Sequence, residues 1–398
     1  MNKKTVRDIA FEGKRALIRV DFNVPLEDGR ITDDTRIRMA LPTLKYIIDA
    51  GGRLILTSHL GRPKGERVAS MSLKPVSERL SELLEKPVQF ADDCMGEEVR
   101  QKVAALQNGD VLLLENVRFH ADEDSKDKAV CRAFAEQLAE WGDVFVNDAF
   151  GSSHRAHASV AGVTEFIEDS VAGFLLETEI EYLANATTNP ERPFVAILGG
   201  AKVSDKIGVI SNLVGKVDAL LIGGAMAYTL MAAKGEEVGN SLIEEDKLDE
   251  ASEILIDMEE SKTLTFLLPK DHIVAEKLAE GVDWEQVSEI PDGKMGLDIG
   301  EQTRAAFAEW IGKAKTVVWN GPMGVFETPP FEKGTEAVAK ALAESECVSI
   351  VGGGDSVAAL KKLGFEDRIS HISTGGGASL ELLEGKELPG LTSLSDRD

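Results

Sequence analysis

Cysteine is nearly missing from this chain: there are three in 398 residues, Cys94, Cys131 and Cys347, odd in number and in no CxxC spacing. Such usage excludes a disulfide framework, offers no zinc motif and fits a reducing compartment. No apolar run approaches the roughly 20 residues needed to span a bilayer. The opening Met-Asn-Lys-Lys-Thr-Val-Arg-Asp has no apolar stretch behind it, so no signal peptide is expected and the chain reads as cytoplasmic. Aromatics reach only 6%, beside 43% hydrophobic and 28% charged residues, the composition of a water-soluble α/β protein. Basic residues are scarce too: 44 Lys and Arg against 69 Asp and Glu leave a formal charge of −25. That surface repels phosphate backbones and anionic membranes, so neither nucleic acid nor membrane is expected as a partner. Two phosphate-binding signatures are also missing. There is no GxxxxGK[ST] loop, and no GxGxxG after an early strand with an acid about 20 residues on. The first absence disfavours generic P-loop folds, the second a nicotinamide dehydrogenase.

What the chain does have is alternation. Short apolar runs at Arg15–Val20, Arg53–Thr57, Val111–Leu114 and Val144–Asn147 alternate with amphipathic stretches near 33–50, 72–85, 97–106 and 126–140. Pro75, just after Ser72, suits the first turn of a helix. Pro42 is expected to kink or split the first stretch. A second series repeats the scheme at Phe194–Leu198, Ala219–Ile222, Thr265–Leu268, Thr316–Trp319 and Cys347–Val351. Apolar strands alternating with helices predict buried parallel sheet, hence an α/β fold of two doubly wound, Rossmann-like domains. Leu175–Ala186 reads as a helix, and the turn formers Thr-Thr-Asn-Pro-Glu-Arg-Pro at 187–193 as the domain boundary. The expected division is an N-terminal domain over 1–170, a hinge helix and linker over 171–193, a C-terminal domain over 194–377, and a final segment, 378–398.

The two halves carry different chemistry. In the first, cations sit in short loops: Arg-Val-Asp-Phe-Asn-Val-Pro at 19–25, His-Leu-Gly-Arg-Pro at 59–63, Arg118, and His-Arg-Ala-His at 154–157. Guanidinium forks match phosphate and carboxylate geometry, so Arg36, Arg62, Arg118 and Arg155, with His59, can surround a small anion. Asp21 and Asn23 would orient a hydroxyl and a neighbouring arginine. Taken singly, each arginine reads equally well as a surface ion pair. His154 and His157, three apart in a Gly-Ser loop, read as loop residues or as supports behind the site rather than as a metal pair. In the second half, glycine loops join strands to helices: Gly199-Gly200-Ala201-Lys202, Gly352–Gly354 before Asp355-Ser356, and Thr374 before Gly375–Gly377. Amides at a helix start favour anions; Lys202 and Lys206 add charge, and Asp355 can hold Mg²⁺ on a polyphosphate. Trp319 through Glu327 reads either as a flat wall for an adenine, with Glu327 on ribose hydroxyls, or as a buried loop stiffened by glycine and proline. In open parallel sheets ligands bind beyond the carboxyl ends of the strands, where most of these motifs fall.

Together the motifs resemble the phosphoglycerate kinase family, of the bacterial type. RVDFNVP at 19–25, HLGRPKG at 59–65, ENVRF at 115–119, NDAFG at 147–151, GGAKVSDKI at 199–207, WNGPMGVFE at 319–327, GGGDS at 352–356 and STGGGASLELLEGK at 373–386 occur in that family's order. The resemblance implies a reversible, Mg²⁺-dependent phosphoryl transfer in glycolysis, between 1,3-bisphosphoglycerate with ADP and 3-phosphoglycerate with ATP. It implies that Asp21, Asn23, Arg36, His59, Arg62, Arg118, Gly151 and Arg155 contact the phosphoglycerate. It likewise implies that Gly200, Lys202, Lys206, Asn320, Glu327, Gly353, Gly354, Asp355 and Ser356 contact the nucleotide, with Asp355 on the metal. Arg36 and Lys202 would be the catalytic cations, the chain a monomer, and the stretch after Gly377 would return to the N-terminal domain. Departures are small: Gly-Ser-Ser-His at 151–154 where Gly-Thr-Ala-His is frequent, no proline after Gly300, and Ser356 in place of threonine. The competing reading is a non-enzymatic phosphometabolite-binding protein, which would leave the Lys202 and Asp355 loops idle.

Overall fold

The apolar runs become strands because they can be covered on both faces. A computed structural model describes residues 2–397. In it Ala16–Val20, Val111–Leu114 and Phe194–Leu198 are buried along their whole length, as parallel strands between two helical layers must be. The chain divides into two compact units, Met1–Glu181 with Glu387–Asp398, and Tyr182–Lys386.

The first unit is built on a six-stranded parallel sheet. From edge to edge its strands are Val88–Ala91, Val111–Leu114, Arg53–Thr57, Arg15–Val20, Val144–Asp148 and Ser170–Ala172. Chain order reverses beside Arg15–Val20, which opens a crevice at the carboxyl ends of the central strands. The helix Thr35–Asp49 runs through Pro42 without being split. Its buried face (Ile37, Ala40, Leu44, Ile47) holds it to the sheet, while Pro42 faces solvent, where the carbonyl deprived of its donor stays hydrated. The second unit has its own six-stranded parallel sheet, ordered Thr265–Leu267, Ala219–Ile222, Phe194–Leu198, Thr316–Asn320, Val348–Gly352 and His371–Ile372. It also carries a three-stranded antiparallel sheet, with His272–Ala275 between Trp284–Val287 and Met295–Ile299.

The unit boundaries differ from the expected domains in two places. Ser170–Ala172, which overlaps the start of the expected hinge, is an edge strand of the first sheet, and the helix Phe174–Thr188 runs from the first unit into the second. The helix Gly377–Leu383 belongs to the second unit, so the return to the first begins at Glu387 rather than at 378. The returning segment is bonded in place: Asn147 Nδ2 donates to Gly390 O at 2.8 Å, Ser395 N to Ser170 O at 2.8 Å, and Lys4 N to Ser395 O at 2.8 Å.

Asp148 ends a central strand with no exposed surface. Its Oδ1 accepts from Leu175 N at 3.0 Å and Leu176 N at 3.3 Å, capping the helix Phe174–Thr188, while among the described residues buried Oδ2 has no hydrogen-bond partner. Burial pushes this carboxyl from its ordinary 3.8 up to about 7. The folded state therefore holds a proton that the unfolded chain has released, and stability falls as pH rises through that interval. Asp148→Asn mimics the protonated form and removes the dependence. Between pH 5 and 8.5 the variant is expected to gain on the parent by on the order of 2–4 kcal/mol in chemical denaturation. A constant difference across that range would show that Asp148 stays ionised.

Candidate active site

In the first unit, the loops that follow the strands are locked to one another by backbone bonds. Gly61 is the pivot: its N–H donates to Asn23 Oδ1 at 2.9 Å and its carbonyl accepts from Arg118 Nη1 at 2.8 Å. Arg36 pairs with Asp21, whose Oδ1 also accepts from Asn23 N at 3.4 Å. Beside this frame lies a cavity of about 370 Å³ lined by Arg62, Lys64, Gly65, Arg118, Asp124, Arg155 and His157. Its charge is mostly positive and only partly balanced. Arg118 is held down to about 10, first by burial and then by Arg155 and Arg19, and among the described residues its buried Nε has no hydrogen-bond partner. His157 falls to about 3, from burial and then the cations Arg118, Arg19 and Arg155. A pocket that penalises its own positive charges is one that an anion would relieve. Arg62, Arg118 and Arg155 meet in the cavity wall, with Asp21, Asn23, Arg36 and His59 in the adjoining frame. Gly151, in the single turn Phe150–Ser152, does not line the cavity.

The second unit gathers its glycine loops into one cavity of about 730 Å³. Gly200, Lys202, Lys206, Asn320, Gly353, Gly354, Asp355 and Ser356 all line it, together with Gly376 and Gly377 from the third loop. Glycine is needed here for contact: a Cβ on Gly321 would lie 2.1 Å from Gly199 O, and one on Gly199 would lie 2.2 Å from Pro322 O. Gly353, at φ +91, turns the chain into the helix Gly354–Leu363, whose first amides have no side-chain cap and open on the cavity. Lys206 is buried and donates to Asn320 Oδ1; burial lowers it to about 8, against the opposing pull of Asp205, Asp355 and Glu384. Asn320 Nδ2 is buried and has no hydrogen-bond partner among the described residues. Ser356 Oγ accepts from Gly321 N at 2.7 Å, which ties the second loop to the turn after Asn320.

Glu327 lies elsewhere, in a second cavity of about 690 Å³ whose walls include Tyr228, Leu242, Ile243, Leu278, Met295 and Val325. The two cavities share Gly200, Ala201, Pro322 and Asp355. Trp319 forms no wall: it is fully buried in the core, with Nε1 donating to Gly321 O at 2.8 Å. Of the two readings of that segment, the buried loop is right for Trp319, because a side chain in a central strand of a doubly covered sheet has only core to enter.

Sequence reasoning missed three groups: Lys64, which lines the arginine-lined cavity, and Arg19 and Glu123, both fully buried beneath it. His157, read above as a loop or supporting residue, also lines that cavity. The signal for Arg19 was present: an arginine within an otherwise apolar strand run must be paired if the run is buried.

A cavity lined mostly by cations on one doubly wound unit and a cavity built from glycine loops on another are features that a phosphotransferase needs. Comparison with known proteins makes the class particular. A family model described as phosphoglycerate kinase matches residues 6–386. The chain is 56% identical to the phosphoglycerate kinase of Chloroherpeton thalassium over the whole of both chains. It is 54% identical to that of Clostridium tetani, covering all of this chain and 98% of the relative. The structure of phosphoglycerate kinase from Coxiella burnetii superposes with a TM-score of 0.90 at 41% identity, over 98% of each chain. That from Pyrococcus horikoshii gives 0.83 at 33% identity, again over 98% of each. The chain belongs to the phosphoglycerate kinase family, and the reading as a non-enzymatic binding protein is set aside. Among the described residues no helix is long and apolar enough to cross a membrane.

Proposed function

We propose that the arginine-lined cleft of the first unit takes 3-phosphoglycerate or 1,3-bisphosphoglycerate, and that the glycine cradle of the second takes ADP or ATP with Mg²⁺. The observation that carries this is the convergence of Lys202, Lys206, Asn320, Asp355 and three glycine loops on one cavity. Asp21, Asn23, Arg36, His59, Arg62, Arg118, Gly151 and Arg155 are the proposed phosphoglycerate contacts. The phosphates lie along Gly200, Lys202, Lys206, Asn320 and Gly353–Ser356, and the base enters the more apolar cavity, with Glu327 near the ribose. Asp355 offers a hard carboxylate oxygen where the two cavities meet, which suits an ion that takes one or two carboxylates beside phosphate oxygens. Bound there, Mg²⁺ would neutralise charge on the phosphate oxygens.

The acceptor explains why no histidine general base is needed. A carboxylate with a pKa near 4 is already ionised at neutral pH and needs no general base. What remains is alignment and charge stabilisation, the main contributions to phosphoryl transfer between anions. Arg36 and Lys202 supply cations, and the amides of Gly354–Ser356 supply donors. Direct transfer also requires the two ligands to meet in line, so the cycle includes a closing step, for which the stretch 171–193 is the proposed hinge. The enzyme is proposed to work as a cytoplasmic monomer.

The test is ATP consumption that depends on both 3-phosphoglycerate and Mg²⁺. Asp355→Asn is expected to raise the Mg²⁺ concentration for half-maximal rate about tenfold, the loss of roughly 1.4 kcal/mol of ion binding. A chain that binds neither 3-phosphoglycerate nor nucleotide overturns the assignment.

A further inference from the structure

Beneath the arginine-lined cavity, a run of buried hydrogen bonds takes its direction from a guanidinium that can only donate. Arg19 has no exposed surface, and a guanidinium has five N–H donors and no acceptor. Its Nε donates to Ser159 Oγ at 2.9 Å, and Nη1 donates to the Val20 carbonyl. Ser159 spends its own hydroxyl proton on Glu123 Oε1 at 2.6 Å, while Ser159 N donates to Glu123 Oε2 at 2.9 Å. Glu123 is fully buried, so this anchor holds the guanidinium from behind. The remaining arm of Arg19, Nη2, lies 3.1 Å from His59 Nδ1. Since Arg19 can only donate, Nδ1 must accept. The single proton of a neutral imidazole is then on Nε2, and among the described residues Nε2 makes no hydrogen bond to the protein.

We infer that Arg19 is a positioning residue that fixes His59 as the Nε2–H tautomer, a neutral donor for an acceptor oxygen of the anion held in this cleft. The inference rests on the assignment of the cleft to phosphoglycerate, whose carboxylate and phosphate oxygens only accept and whose hydroxyl can both donate and accept. His59 then plays no acid–base part. Protonation would place a further cation among Arg19, Arg36, Arg118 and Arg155, and the acids of the surroundings, Asp21 and Glu123, are already engaged with Arg36 and Ser159. Burial first, and then those four arginines, hold the imidazole well below its ordinary pKa. A neutral N–H donor gives direction to the bound anion without adding to the repulsion that the arginines already bear.

The test is ¹⁵N nuclear magnetic resonance of histidine-labelled full-length protein, with the His59 signals identified by comparison with His59→Gln. The expected result is a pure Nε2–H tautomer that resists protonation down to about pH 5. An Nδ1–H tautomer, or an imidazolium at pH 6, overturns the inference. Ser159→Ala cuts the link between Glu123 and Arg19 at the loss of one oxygen. It is expected to give mixed tautomers and a KM for 3-phosphoglycerate raised about tenfold with kcat kept. A folded Ser159→Ala enzyme with mixed tautomers and an unchanged KM overturns the positioning role. Adding 3-phosphoglycerate should shift the parent's Nε2 signal. If the tautomer is as inferred but this signal does not move, the assignment of the cleft fails instead.

Discussion

Arg36→Ala is expected to lower kcat for 3-phosphoglycerate-dependent ATP consumption by at least about a hundredfold, while the KM for nucleotide changes little. The reason lies in where the residue sits. Arg36 is in the first turn of the helix Thr35–Asp49, with its side chain 35% exposed and anchored through one nitrogen to Asp21. The guanidinium thus keeps donors to spend on a ligand, and its removal creates no core cavity. Loss of a preorganised donor aimed at developing charge typically costs about 10²–10³ in rate. Arg36→Lys keeps the charge but loses the planar fork, so it should recover only part of the activity. A melting temperature within a few degrees of the parent separates chemistry from folding. Unchanged kcat with a raised KM for 3-phosphoglycerate would demote Arg36 to ground-state binding.

The central strands were legible because they are buried on both faces. Arg15–Val20, Arg53–Thr57, Val111–Leu114, Phe194–Leu198 and Ala219–Ile222 end where the apolar runs end. Edges were not. Val88–Ala91 is only partly covered, Ser170–Ala172 and His371–Ile372 are too short for a period, and Trp284–Val287 is mostly exposed. Those strands exist through the neighbours that they pair with, and a one-dimensional pattern does not contain a neighbour. The site divides in the same way. Glycine loops at strand-to-helix junctions announce themselves, because few structures other than a close approach need three of them. The supports behind the loops do not. Glu123 lies in the acidic stretch Ala121–Asp124, which reads as solvated surface, yet it alone of that stretch is fully buried. Only the fold shows that Ser159 and Arg19 come to meet it.

Nucleotide binding above pH 8 is expected to take up a proton, and Lys206→Met to remove both that uptake and most of the affinity. Burial weakens the charge on Lys206: its ammonium sits in the cavity wall, lowered to about 8. Near that pH the free enzyme is an even mixture of charged and neutral amine. A polyphosphate binds the charged form, which pulls the pKa back up and draws a proton from solution. The sign follows directly. Affinity is highest below about pH 8 and falls by up to tenfold per unit above it, until the pKa of the complex is reached. Titration calorimetry at pH 8.5 in two buffers of different ionisation enthalpy reads the uptake directly. Lys206→Met keeps the length of the chain and deletes the charge, at an expected cost on the order of a hundredfold in affinity, the top of the range for a hydrogen bond to a charged group. It also leaves Asn320 Oδ1 without its donor, so Lys206→Gln, which can still donate to that oxygen, separates the two effects. Uptake lost in both variants assigns the proton to Lys206. Uptake kept in both would pass it to another group in the cradle and leave Lys206 as a brace for Asn320.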